Sequence, residues 1–82
     1  MIISEQLRAA RGLVGWSQSA LAKASGLALS TIKRMEGDRG PLRSSAGNVL
    51  KVQQALEDAG VIFIDADDEG PGVRLKADRP GQ

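Results

Sequence analysis

Residues 17–37, SQSALAKASGLALSTIKRMEG, constrain this chain more than any other stretch. Two short segments with apolar residues at helical spacing flank a lone glycine, Gly26. Leu21 and Ala22 fall on the inner face of the first segment, and Ile32 and Met35, three residues apart, face inward from the second. Leu27 plugs the turn, and Ala22 is small where a crossing helix must come close. The spacing predicts two short helices joined by a tight turn at Gly26. Ser17 is the expected N-cap of the first, its hydroxyl accepting a bond from an unpaired backbone N–H. Trp16, one place before that cap, and Leu21, four places after it, have the spacing of a hydrophobic staple. Gly37 is the expected stop of the second helix, in the left-handed conformation common just past a helix end.

A further helix precedes this pair. Ser4 is its expected N-cap, Glu5 suits its first turn, and Gly15 ends it. Leu7, Ala10 and Val14 make its inward stripe, with Leu13 at the margin. Arg8 and Arg11 serve either contacts to a polyanion or intramolecular pairs. After residue 37 the run DRGPLRSS reads as a loop, and Ser44 or Ser45 caps a fourth helix that runs to about Ala59. Its inward face is Val49, Val52 and Leu56, widened by Leu50 and Ala55. The expected core gathers Trp16, Leu21, Ile32, Met35, Val52 and Leu56.

The character changes after Gly60. Val61-Ile62-Phe63-Ile64 is β-branched and aromatic, residues 65–72 are a polar connection, and Val73-Arg74-Leu75-Lys76 alternates. This reads as an antiparallel hairpin. Both faces of its first strand are apolar, so one packs on the helices and the other needs further cover, which a second subunit would supply. The expected dimer interface is Val61, Ile62, Phe63, Ile64, Val73 and Leu75. The organisation is thus a single domain of mainly α class: a four-helix bundle over residues 1–60, an antiparallel β-hairpin over 61–76 as dimerisation element, and a frayed tail over 77–82.

Composition narrows the chemistry. Eighty-two residues make one small domain, near the lower size for a self-sufficient core. The chain has no cysteine and no histidine, which removes disulfides, thiolate metal sites and the commonest general base. No cofactor and no metal are expected, and no enzymatic activity. Asp65, Asp67, Glu69 and Gly70 imitate the first half of a calcium loop, but Lys76 stands where the bidentate glutamate belongs. No apolar run approaches a membrane span and the N-terminus turns polar at Ser4, so a cytoplasmic protein away from the membrane is expected. The net charge of +1 divides unevenly: residues 1–55 carry eight Lys or Arg against three acids, and residues 56–82 carry three against seven. A basic body with an acidic end fits a polyanion partner for the body.

Two helices joined at Gly26, the second with a polar and basic outer face, have the layout of a helix-turn-helix. The residues Gly15-Trp16-Ser17-Gln18, Leu21-Ala22, Gly26-Leu27, Thr31-Ile32 and Arg34-Met35-Glu36-Gly37 resemble the pattern of the Cro/CI-type regulators, the XRE family, with their lambda-repressor-like bundle. The stretches 55–63 and 72–75 resemble a small subgroup with a C-terminal hairpin. The resemblance implies a DNA-binding transcription regulator whose third helix enters the major groove of double-stranded operator DNA. It implies contacts to phosphate or base from Ser17 and Gln18, and to base edges from Leu29, Ser30, Lys33 and Arg34, with Thr31 also on the DNA-binding surface and Arg39 and Arg43 on phosphates. It also implies a structural ion pair between Arg11 and Glu36. Leu29 has ordinary packing against the preceding helix as its other reading. Where the family has a capping Ser or Thr, this chain has Ala28, so the recognition helix either goes uncapped or starts later with Ser30 as cap. A homodimeric repressor is the leading expectation. A protein-capturing regulator of anti-activator type and the antitoxin half of a toxin–antitoxin pair are the alternatives, and both need a protein partner.

Overall fold

The computed structural model of the chain describes residues 1–37, 39–40 and 42–78; Asp38, Pro41 and four of the six tail residues, 79–82, lie outside the described residues. Four helices are followed by two strands: α1 (Ser4–Val14), α2 (Gln18–Ser25), α3 (Leu29–Glu36), α4 (Ala46–Asp58), β1 (Val61–Ile64) and β2 (Gly72–Leu75). This is the mainly helical fold with a C-terminal hairpin that the spacing predicts.

Local chemistry sets most boundaries. Ser17 caps α2 by accepting from the Ala20 N–H at 3.0 Å, and Ser45 caps α4 by accepting from Asn48 N–H at 3.2 Å. Gly26 ends α2 at φ 74°, where its own N–H and that of Leu27 both reach the Ala22 carbonyl. Gly37 departs from expectation. It stays right-handed at φ −75°, and a Cβ there would come within 3.2 Å of the Lys33 carbonyl. Close approach to the preceding helical turn, not handedness, is what this glycine serves.

The N-terminus of α1 also differs. Ser4 is the first residue inside the helix and Ile3 is the N-cap, because the Ser4 hydroxyl is spent on the Met35 carbonyl at 2.7 Å. Gln6, three residues after the cap, accepts from Ile3 N–H at 2.9 Å, so the helix starts with half of a capping box.

The core is built from Leu7 and Ala10 of α1, Leu21 and Ala22 of α2, Ile32 and Met35 of α3, and Val49, Val52 and Leu56 of α4. Trp16 packs against it half-buried. Leu50, expected to widen the face of α4, is 63% exposed and belongs to the opposite side of that helix. The antiparallel hairpin closes the bundle, with Val61 opposite Leu75, Ile62 opposite Arg74, Phe63 opposite Val73 and Ile64 opposite Gly72. Successive side chains alternate between faces. Val61 is buried in the core and Phe63 and Val73 pack against it, while Ile62 and Arg74 look outward. Gly72 has been drawn from the expected connection into the strand. Among the described residues no helix is long and apolar enough to cross a membrane.

Candidate nucleic-acid interface

Helix α3 divides into two faces. Ile32, Met35 and Glu36 are buried, whereas Leu29, Ser30, Lys33 and Arg34 are exposed and Thr31 is half-buried. The buried residues anchor the helix and leave a ridge bearing an apolar side chain, a hydroxyl and two cations. Leu29 is 36% exposed, so a helix-packing role does not consume it. The helix starts at Leu29 with Ala28 as an N-cap that makes no side-chain bond. Ser30 therefore lies inside the helix, and its hydroxyl stays on the exposed face. The Ser30-capped start is not adopted.

Helix α2 offers its N-terminus. Ser17 is exposed, Gln18 is half-buried, and the first turn has no acidic residue to neutralise the positive end of the helix dipole. Glu36 ties this end to α3. Its carboxylate accepts from Arg11 Nε and Nη2, each at 2.9 Å, and from Gln18 Nε2 at 3.3 Å. Arg11 Nη1 further donates to the Trp16 carbonyl at 2.9 Å. Through the Arg11–Glu36 pair, α1, the segment before α2, the start of α2 and the end of α3 are held in register. The hydrogen bond to Glu36 raises the pKa of the Arg11 guanidinium further.

The arrangement has an electrostatic consequence. A bare carboxylate at the end of α3 would oppose any polyanion brought to Lys33 and Arg34. Pairing with Arg11 neutralises it. Arg11 is correspondingly occupied inside the protein. Arg8, the other cation left open by sequence, donates through Nη1 to the Glu36 carbonyl, where a cation complements the negative end of α3. Their separation by three residues on α1 puts both over the same helix end, a signal that was readable. Arg39 and Arg43, in the segment between α3 and α4, are exposed.

Of the residues expected at a dimer interface, Val61 is buried within the chain itself and Phe63 and Val73 rest against its core; Ile62 is 37% exposed, and Ile64 and Leu75 are half-buried. Sequence reading did not find Ser4 and Gln6 as buried polar joints, since their partners lie 31 to 66 residues away. At the hairpin turn Glu69 N–H donates to Asp67 Oδ1 at 2.7 Å, and among the described residues no group of three or more ligand-type side chains is placed to hold a metal ion.

A family model described as helix-turn-helix matches residues 7–56, more than half of the chain and all of α2 and α3. No curated protein matches the chain significantly. The match spans the helix pair and its supporting helices, and with the four-helix architecture it shows that the chain belongs to the Cro/CI-type, XRE-family helix-turn-helix proteins, a family of DNA-binding regulators.

Proposed function

We propose that this protein is a sequence-specific transcription regulator that binds operator DNA as a homodimer and represses by occupying the promoter. The observation that carries the reading is the two-faced α3, whose buried stripe fixes it in the bundle while Leu29, Ser30, Lys33 and Arg34 remain exposed. In the major groove Arg34 would donate two bonds to guanine, Ser30 would serve either kind of edge, and Leu29 would touch a thymine methyl. Ser17, Gln18, Arg39 and Arg43 would grip phosphates, which give affinity without sequence information. Exposed Ile62 on the outer hairpin face supports pairing of two copies, which would then read half-sites about 34–36 Å apart.

The test is fluorescence anisotropy with DNA from upstream of the protein's own gene, against scrambled DNA, across a salt series. Tight binding to the native fragment that is lost with Arg34→Ala supports the reading. Equal, weak binding to both fragments overturns it. The outer face of the hairpin, with Ile62 above a turn of four exposed acids, Asp65, Asp67, Asp68 and Glu69, favours capture of a protein partner as the second reading.

A further inference from the structure

We propose that the first turn of α1 is a joint that sets the hairpin's orientation relative to α3, and that Gln6 is its positioning residue, fixing the half-site spacing the protein accepts. The spacing part rests on the DNA-binding homodimer proposed above; the joint itself does not.

Gln6 is 6% exposed, and every polar atom of its amide is used. Oε1 accepts from Ile3 N–H at 2.9 Å, and Nε2 donates to the Ile64 carbonyl at 3.1 Å and the Gly72 carbonyl at 3.0 Å. The opposite amide orientation would set an oxygen against two carbonyl oxygens and a nitrogen against an N–H, so the bonding fixes which end is which. Ile64 and Gly72 face each other on the ladder pair nearest the turn. One side chain therefore fastens that end of the hairpin to the start of α1. A two-stranded sheet is marginal without such support.

The same turn holds α3 and the segment after it. Ser4 Oγ donates to the Met35 carbonyl at 2.7 Å, Ser4 N–H donates to the Gly40 carbonyl at 2.8 Å, and Gly40 N–H donates to Glu5 Oε1 at 2.8 Å. Three consecutive residues thus grip the recognition helix's end on one side and the hairpin on the other. Helix α1 also packs against α3 and against both strands. Ser4, Glu5 and Gln6 lie within a single turn of α1, fixed relative to one another by helical backbone geometry, so displacement at one grip is passed to the other. If the hairpin joins two copies, the Gln6 bonds set how far apart and at what angle the two α3 helices stand.

Two substitutions separate this role from helix capping. Gln6→Glu keeps an acceptor for Ile3 N–H and removes the donor to the hairpin; Gln6→Met removes both. The DNA probe is a duplex selected from a random pool by the wild-type chain, then rebuilt with one base pair added or removed between half-sites, a shift of about 3.4 Å along the axis. The wild type should lose about tenfold in affinity on either change, the size of an ordinary coupling between sites. Both variants should flatten that penalty to about threefold or less, with affinity for a single half-site unchanged. An unaltered spacing profile overturns the positioning role.

Amide hydrogen exchange on the protein alone tests the joint without DNA. Gln6→Glu should speed exchange at Met35 and Glu36 relative to Val52, and Ser4→Ala should speed it at Ile62 and Ile64, on the hydrogen-bonded ladder pairs, relative to Val52. Uniform acceleration, or change confined to the side that was cut, overturns the joint. Failure of the pool to yield any duplex would overturn the DNA-binding reading, and the exchange result would still decide the joint.

Discussion

Arg11 and Glu36, 25 residues apart in sequence, meet through two guanidinium nitrogens on two carboxylate oxygens, with the Glu36 side chain 3% exposed and that of Arg11 25% exposed. The carboxylate is the more deeply buried partner, so the two halves of the pair are not equivalent. Arg11→Ala leaves a desolvated charge and is expected to cost about 3 kcal/mol, the range for breaking a buried pair. Arg11→Lys should recover only part of this, because an ammonium cannot fork onto both oxygens. Replacing both together, Arg11→Met with Glu36→Leu, should lie within about 1 kcal/mol of wild type, since no buried charge is left. Urea midpoints arranged as a double-mutant cycle give the coupling directly. A double variant as unstable as Arg11→Ala would mean that the packing, not the charge, is what matters.

Two arginines close in sequence should behave differently on DNA. Arg34 lies on the exposed face of α3, and Arg39 lies in the segment after it. Arg34→Ala should weaken binding to the preferred duplex by about 1–3 kcal/mol and relax the choice at one base pair. Arg39→Ala should weaken all duplexes alike and reduce the slope of log affinity against log salt by about 0.9, one phosphate's worth. Anisotropy titrations at several salt concentrations distinguish the two. A sequence-independent loss with Arg34→Ala would remove it from the base readers.

The hairpin's alternation decides which substitution tests dimerisation. Phe63 packs on the helices, so Phe63→Asp should unfold the bundle and say nothing of assembly. Ile62 is on the outer face opposite Arg74. Ile62→Asp should leave the helical circular dichroism intact, halve the sedimentation mass and weaken operator binding. An unchanged mass with native spectra would place the dimer contact elsewhere or remove it.

The parts of this molecule that were legible in its sequence are those set by local rules. Helical periodicity marked Leu21, Ile32, Met35, Val52 and Leu56 as core, Ser17 and one of Ser44 and Ser45 were marked as caps, and alternation marked the hairpin. What escaped depends on partners far along the chain. The Ser4 hydroxyl abandons the capping role that its position offers because the Met35 carbonyl is within reach. Leu50 is apolar, yet the stripe of Val49, Val52 and Leu56 already fills the available face of α4. Nothing in the local sequence marks Gln6, because only the folded hairpin supplies the two carbonyls that its amide bonds. Leu29, Ser30, Lys33 and Arg34 of α3 are exposed and Thr31 is half-buried, but nothing local distinguishes a base reader from a solvated residue.

Acid should weaken the same N-terminal region. The Glu5 carboxyl is held below the usual carboxylate range, first by the Gly40 N–H and then by its own backbone N–H, with Arg8 and Arg39 adding attraction. A lowered folded-state value means that the stabilisation is present above the unfolded carboxylate pKa and is lost as pH falls through the folded one. Glu5→Gln should therefore be less stable than wild type at neutral pH, and the two should converge on acidification. Because Glu5 is solvent-exposed the gap will be small, so it is best read from urea midpoints at closely spaced pH values. A gap that stays constant with pH would remove the charge from the explanation.

The uncapped start of α3 yields the most direct stability prediction. Ala28 has φ −67° and ψ 146°, nearly the backbone of the two serine caps, Ser17 at −71° and 165° and Ser45 at −63° and 153°. Those serines accept from the N–H three residues on at 3.0 and 3.2 Å, and Ala28 has nothing to offer in their place. Ala28→Ser should fit without strain, stabilise the fold by about 1 kcal/mol and raise Tm by roughly 4–8 °C. Ala28→Asp should stabilise by a similar amount, since it both caps and complements the helix dipole. On DNA the two should part. If the start of α3 lies in the groove, the added carboxylate meets the phosphate field, and Ala28→Asp should weaken binding most at low salt while Ala28→Ser does not. Equal DNA affinity for the two variants would mean that this end of α3 stands clear of the duplex, and the groove placement would fail with it.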